Sequence, residues 1–168
     1  GGSIIVHSTP GKGTLFEVYL PASSRSPELK VSEASPAAGR KKGRVLLVDD
    51  NVLELRSVHR MLVRQGFRVS STHDAVKALK LFKETPKAFD LVITDELMPL
   101  MRGSEMAAVM REIRRDLPVI ICSGSEKALE EIRSEAAVFP RLLSKPFSSE
   151  ILREAIEQAL GRGGFTFS

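Results

Sequence analysis

The chain holds one cysteine, Cys122, no tryptophan and one tyrosine, and aromatic residues make up only 5% of its 168 positions. A lone cysteine excludes an internal disulfide. Cys122 ends an apolar run and reads as a small buried hydrophobe. No apolar run approaches the ~20 residues that a membrane-spanning helix needs, and no signal-peptide pattern is present. Together these absences predict a cytoplasmic setting with no membrane contact by this segment. The three histidines, His7, His59 and His73, share no metal-ligand or relay spacing and read as structural or solvated. A basic stripe interleaved with aromatics is missing too. The formal charge is +4, but residues 1–43 carry +3 of it and residues 44–168 only +1. Without clustered cations to neutralise phosphates, no nucleic-acid partner is expected. The first residue is not methionine, which suggests a piece of a longer protein.

What is present falls into zones. Residues 1–20 read as strand, turn and strand: Ser3 to His7, the glycine-rich Pro10-Gly11-Lys12-Gly13, then Leu15 to Leu20. Alternation in the second run and the glycines of the turn predict a β-hairpin. Residues 21–43 are rich in proline, serine, alanine and charge, with little to bury, and predict a flexible linker. From residue 44 to about 160, strand-like and helix-like stretches alternate five times, with a short tail over 161–168. Helices are predicted over residues 52–65, 74–84, 104–115, 126–136 and 148–160, with Gly66 ending the first and Ser104 and Ser148 as N-caps. Alternation of this kind implies βαβ units and a parallel sheet, an α/β fold.

Four apolar runs are read as buried strands: Val45–Val48, Leu91–Ile93, Val119–Cys122 and Leu142–Leu143. Just past their ends stand Asp49 and Asp50, Asp95, Ser123 and Lys145. Ligands of an open α/β sheet sit at the carboxyl ends of its strands, so one pocket would gather three carboxylates, a hydroxyl and an ammonium. Clustered carboxylates repel one another, and a divalent cation relieves that repulsion. Hard oxygen donors without nearby cysteine or histidine suit Mg2+ better than zinc. One carboxylate can also act as a nucleophile and form an acyl phosphate. Mg2+ and Lys145 would then offset the charge on the phosphoryl group, and Ser123 would hydrogen-bond its oxygens.

The segments Val45-Leu46-Leu47-Val48-Asp49-Asp50-Asn51, Asp95-Glu96-Leu97-Met98-Pro99-Leu100-Met101-Arg102-Gly103, Ser123-Gly124 and Lys145-Pro146-Phe147 resemble the receiver domain of two-component response regulators. The resemblance runs from Arg44 to about Leu160. It implies a doubly wound, five-stranded parallel sheet of the flavodoxin-like receiver fold. It also implies Asp95 as phosphoacceptor, with Asp49, Asp50, Asp95 and the backbone carbonyl of Leu97 as Mg2+ ligands. Ser123 becomes the switch hydroxyl and Lys145 the cation that pairs with phosphate, with a cis peptide before Pro146. The implied partner is a histidine-phosphorylated domain of a kinase or phosphotransfer protein. Two positions depart from the family pattern: Leu142 stands where an aromatic switch residue is common, and the second residue past Asp95 is the apolar Leu97.

Residues 1–20 are similar to the closing strands of a histidine-kinase ATP-binding domain, through Gly2–Ser8, Pro10–Thr14 and Phe16–Pro21. Kinase end, linker and receiver, in that order, resemble a hybrid sensor histidine kinase. The main nucleotide-binding motifs of such a kinase are absent, so this piece alone is not expected to be a working kinase. Two other classes compete: a small Mg2+-dependent phosphotransferase and a docking module that works without phosphorylation. Adjacent Asp49-Asp50 rather than Asp-x-Asp weighs against the first, and the complete acidic set against the second. On helix 52–65, Leu55, Val58, Met61 and Leu62 form the stripe expected to pack on the sheet. Val52, Arg56, His59 and Val63 form another, expected to lie beside the pocket and receive the partner.

Overall fold

The computed structural model describes residues 3–9, 11, 13–19, 43–134 and 141–161. The expected linker lies outside the described residues except for Gly43, as does the expected tail except for Gly161. So do the last two positions of the helix expected over 126–136. The chain divides into two units.

The first unit is the expected hairpin, β1 (Ser3–Thr9) antiparallel to β2 (Gly13–Tyr19). Gly11 and Gly13 take φ of +74° and +101°, which a reversal with the right strand twist requires and which glycine adopts without penalty. Pairing Ile4 with Val18 and Val6 with Phe16 places four apolar side chains on one face, each more than half exposed.

The second unit alternates strands and helices as the sequence implies. Its elements are β3 (Arg44–Val48), α1 (Val52–Arg64), β4 (Arg68–Thr72), α2 (Ala75–Glu84), β5 (Leu91–Asp95), α3 (Gly103–Ile113), β6 (Val119–Ser123), α4 (Glu126–Ser134), β7 (Arg141–Ser144) and α5 (Ser149–Ala159). All neighbouring strands pair in parallel, in the order β4-β3-β5-β6-β7. Strand side chains alternate between faces, so each strand feeds two cores. Leu46, Val48, Val92, Val119 and Ile121 pack against α2, α3 and α4, around Phe82, Met106 and Met110. Val45, Leu47, Leu91, Ile93 and Ile120 pack against α1 and α5, around Leu62 and Leu152. This is the doubly wound, flavodoxin-like receiver fold. Cys122 is buried in the second core, and burial pushes its thiol up to about 12.

Helix ends follow local chemistry. Asn51 caps α1 by accepting the N–H groups of Leu53 and Glu54, Asp74 caps α2, and Ser148 caps α5 as expected. Gly66, with φ of +91°, ends α1 in the left-handed region. The expectation for α3 fails. Ser104 is not its N-cap; the helix starts at Gly103 and Arg102 holds the cap position. The reason is Glu96, fully buried, whose carboxylate accepts both the backbone N–H and the hydroxyl of Ser104 at 2.9 Å. Among the described residues no helix is long and apolar enough to cross a membrane.

Candidate functional site

In this sheet the winding direction reverses between β3 and β5, and a cleft of about 620 Å³ opens at their carboxyl ends. That switch point is where open α/β sheets bind ligands. Asp49, Asp50, Asp95, Leu97 and Lys145 all line it.

Lys145 is its centre. The cis peptide Lys145–Pro146 follows β7, as the resemblance implies, and the Lys145 backbone N–H donates to the Ser123 carbonyl at 2.8 Å. From there the ammonium donates to Asp49 Oδ2 at 2.7 Å, Glu54 Oε2 at 2.6 Å and Asp95 Oδ1 at 2.5 Å. An ammonium has three N–H donors, and all three are engaged. The other oxygens are held as well. Asp49 Oδ1 accepts the Asn51 N–H at 2.9 Å, Asp95 Oδ2 accepts the Leu97 N–H at 2.7 Å, and Glu54 Oε1 accepts Asn51 Nδ2 at 3.0 Å.

Burial pushes the Asp49 carboxyl above its usual range, against the pull of Lys145 and the Asn51 N–H. Burial also disfavours the Lys145 ammonium, but its bonds to Asp49, Asp95 and Glu54 outweigh that and hold it above the ordinary lysine value. Beside the site, burial raises the Glu96 carboxyl against the bonds from Ser104 and the nearby Arg102.

The structure thus brings Asp49, Asp95 and Lys145 into direct contact and places Asp50 and Leu97 in the same cleft. Ser123 stands one strand away, but its buried hydroxyl accepts the Ser125 N–H at 3.1 Å, and Gly124 lines the cleft in its place. Glu54 was not anticipated. Its signal in the sequence is an acid one helical turn after Asp50, which looks like ordinary charge in a first helical turn. Of the expected docking face on α1, none of the four residues lines the cleft. Glu54, Ser57, Val58 and Met61 line the cleft from α1 and Asn51 from its N-cap, whereas Val52, Arg56, His59 and Val63 do not. His59 instead hydrogen-bonds Ser71 on the edge strand β4 at 3.2 Å.

The loop after Asp95 carries strain. Leu100 is 94% exposed with φ of +70°, a region where an L side chain costs roughly 1 kcal/mol. Asparagine tolerates it better. Leu100→Asn is therefore expected to raise the unfolding free energy by about 0.5 kcal/mol. A denaturant midpoint that stays put or falls would refute the strain.

The family model for the response regulator receiver domain matches residues 45–157. The chain belongs to the response regulator receiver family. It is 31% identical to the sensor kinase CckA of Brucella abortus over 95% of its own length and 18% of that protein. With the virulence sensor protein BvgS of Bordetella bronchiseptica it shares 30% identity, over 96% of the chain and 14% of that protein. The chain therefore spans under a fifth of these curated relatives. Among solved structures, a receiver domain from Clostridium thermocellum superposes with a TM-score of 0.65 at 27% identity, covering 71% of this chain and 94% of that one. The response regulator TrrA of Thermotoga maritima, solved in complex with Mg(2+)-BeF, gives 0.63 at 26%, covering 70% and 98%.

Proposed function

We propose that this receiver domain takes a phosphoryl group from a phosphohistidine onto Asp95, with Mg2+ bound beside it. The observation that carries the reading is the Lys145 ammonium bonded to Asp95 at the topological switch point of the sheet. Asp95 is held by the Leu97 N–H and Lys145, so its carboxylate is oriented before any donor arrives. In the transfer one carboxylate oxygen of Asp95 forms a bond to phosphorus while the N–P bond of the donor breaks, and that electron pair returns to the imidazole nitrogen. Lys145 is positioned to hydrogen-bond the phosphoryl oxygens once it releases a present partner. Ser123 would do so after its hydroxyl turns from the Ser125 N–H.

The residues fit a hard divalent cation. Four carboxylates, Asp49, Asp50, Glu54 and Asp95, share the cleft with one ammonium, Lys145, an excess of negative charge that a divalent cation would offset. Among the described residues no three acidic, histidine or cysteine side chains already converge as a metal cage; Lys145 sits between Asp49, Glu54 and Asp95. Asp49, Asp50 and Asp95, with the Leu97 carbonyl, would hold Mg2+, which prefers oxygen donors and keeps several waters. When bound, it supplies positive charge to the transferring phosphoryl group.

The TrrA complex with Mg(2+)-BeF supports the metal, and the sensor-kinase relatives support a phosphohistidine partner. Because the CckA and BvgS matches cover at least 95% of the chain, they run through the hairpin as well as the receiver. We read β1 and β2 as the closing strands of a kinase ATP-binding domain within residues 1–20. Residues 21–43 then form a linker and 44–160 the receiver of a cytoplasmic portion of a hybrid sensor kinase.

Incubation with acetyl phosphate should label the protein only when Mg2+ is present, and Asp95→Asn should abolish the label because an amide is not a nucleophile. Full labelling without Mg2+, or of the variant, would overturn the proposal.

A further inference from the structure

Every N–H of the Lys145 ammonium is already donated, to Asp49, Glu54 and Asp95. A phosphoryl oxygen that needs this cation must therefore displace one of the three carboxylates. They differ in how readily they can leave. The Asp49 and Asp95 side chains are 5% and 11% exposed, whereas that of Glu54 is 45% exposed. A buried carboxylate that loses its cation forfeits solvation it cannot recover, while an exposed one is rehydrated. Asp49 is also fixed by the Asn51 N–H, and Asp95 is where the new group lands. Glu54 reaches in from the first turn of α1 on a longer side chain, and its second tether is only the Asn51 side chain, at 3.0 Å.

We propose that Glu54 is a positioning residue that holds Lys145 in place before phosphorylation and yields it to the phosphoryl group, so that it sets how readily Asp95 reacts. The inference rests on the reading of Asp95 as acceptor. Glu54 acts against the reaction in two ways. It occupies the donor that the phosphoryl oxygens require, and its negative charge lies at the mouth of a cleft that an anionic donor must enter. Glutamine keeps its shape and can still accept a hydrogen bond, but it gives up the charge that makes the bond strong.

The test compares wild type, Glu54→Gln and Glu84→Gln, the last on α2 in the opposite layer, for phosphorylation by acetyl phosphate at saturating Mg2+. Mg2+ affinity is measured alongside by NMR titration. Glu54→Gln should be phosphorylated about fivefold faster, the scale of one weakened charge-assisted hydrogen bond, while Glu84→Gln keeps the wild-type rate. Mg2+ affinity should stay within about twofold in all three, as expected if Glu54 is not a ligand. An unchanged or slower rate for Glu54→Gln beside a reactive wild type would overturn the role of Glu54 and leave Asp95 as acceptor. A large loss of Mg2+ affinity would overturn it by making Glu54 a metal ligand. A wild type that takes no label would instead sink the acceptor reading itself.

Discussion

Replacing Lys145 with methionine is expected to cost about 2–3 kcal/mol of stability in the absence of divalent cations, under the roughly 3–5 kcal/mol for breaking a fully buried ion pair because the cleft is open to water and Glu54 is half exposed. Methionine keeps most of the volume but leaves Asp49, Glu54 and Asp95, which now share one ammonium, without a counter-charge. Asp49 and Asp95 are the buried pair and carry most of that cost. The deficit should shrink when Mg2+ is added, because a divalent cation can then neutralise the same carboxylates. Labelling by acetyl phosphate should fall by at least about tenfold, since the cation facing the phosphoryl group is gone. Denaturant unfolding with and without Mg2+ tests the first half, and a variant as stable as wild type in both would contradict it.

Gly103→Ala is expected to be more damaging still. A Cβ at Gly103 would lie 2.0 Å from the carbonyl oxygen of Asp95, 3.0 Å from its carbonyl carbon and 2.9 Å from Thr94 Oγ1. Two of these are backbone atoms of β5, which cannot rotate away as a side-chain tip could. To admit one methyl group, either the start of α3 or the end of β5 must move, and with it Asp95. A cost of about 3 kcal/mol is expected, at the upper end for overpacking, and a fall in melting temperature of roughly 10–20 °C. Thermal unfolding that stays within a few degrees of wild type would show that the loop absorbs the methyl group.

The sequence exposed the sheet because strand and helix periods are local. Val45–Val48 and Val119–Cys122 read as buried strands from their own residues, and Asn51, Asp74 and Ser148 do their capping within three positions. The carboxyl-end rule then grouped Asp49, Asp50, Asp95, Ser123 and Lys145 without knowledge of any distance; all but Ser123 line the cleft, and Leu97, which the family resemblance added, lines it too. What stayed hidden depends on contacts between distant positions. Glu54 and Lys145 are 91 residues apart, and nothing in the spacing of either reveals that an acid on α1 meets a lysine after β7. Glu96 caps α3 from eight positions before Ser104, so the local serine drew an assignment that belongs to a buried glutamate. For α1, a helical wheel groups Val52, Arg56, His59 and Val63 correctly. It cannot say which neighbour each member meets: His59 bonds Ser71 on the edge strand, while Val52 and Arg56 are exposed.

Of the carboxylates in the cleft, Asp95 is the one proposed to take the phosphoryl group. An acyl phosphate is reduced by borohydride to an alcohol, which leaves homoserine wherever an aspartyl phosphate stood. Phosphorylated protein, reduced in this way, digested and sequenced by mass spectrometry, reports the acceptor directly. Homoserine is expected at position 95, with unmodified aspartate at positions 49 and 50. Homoserine at either of those two positions, or at none of the three in protein that carries the label, would contradict it.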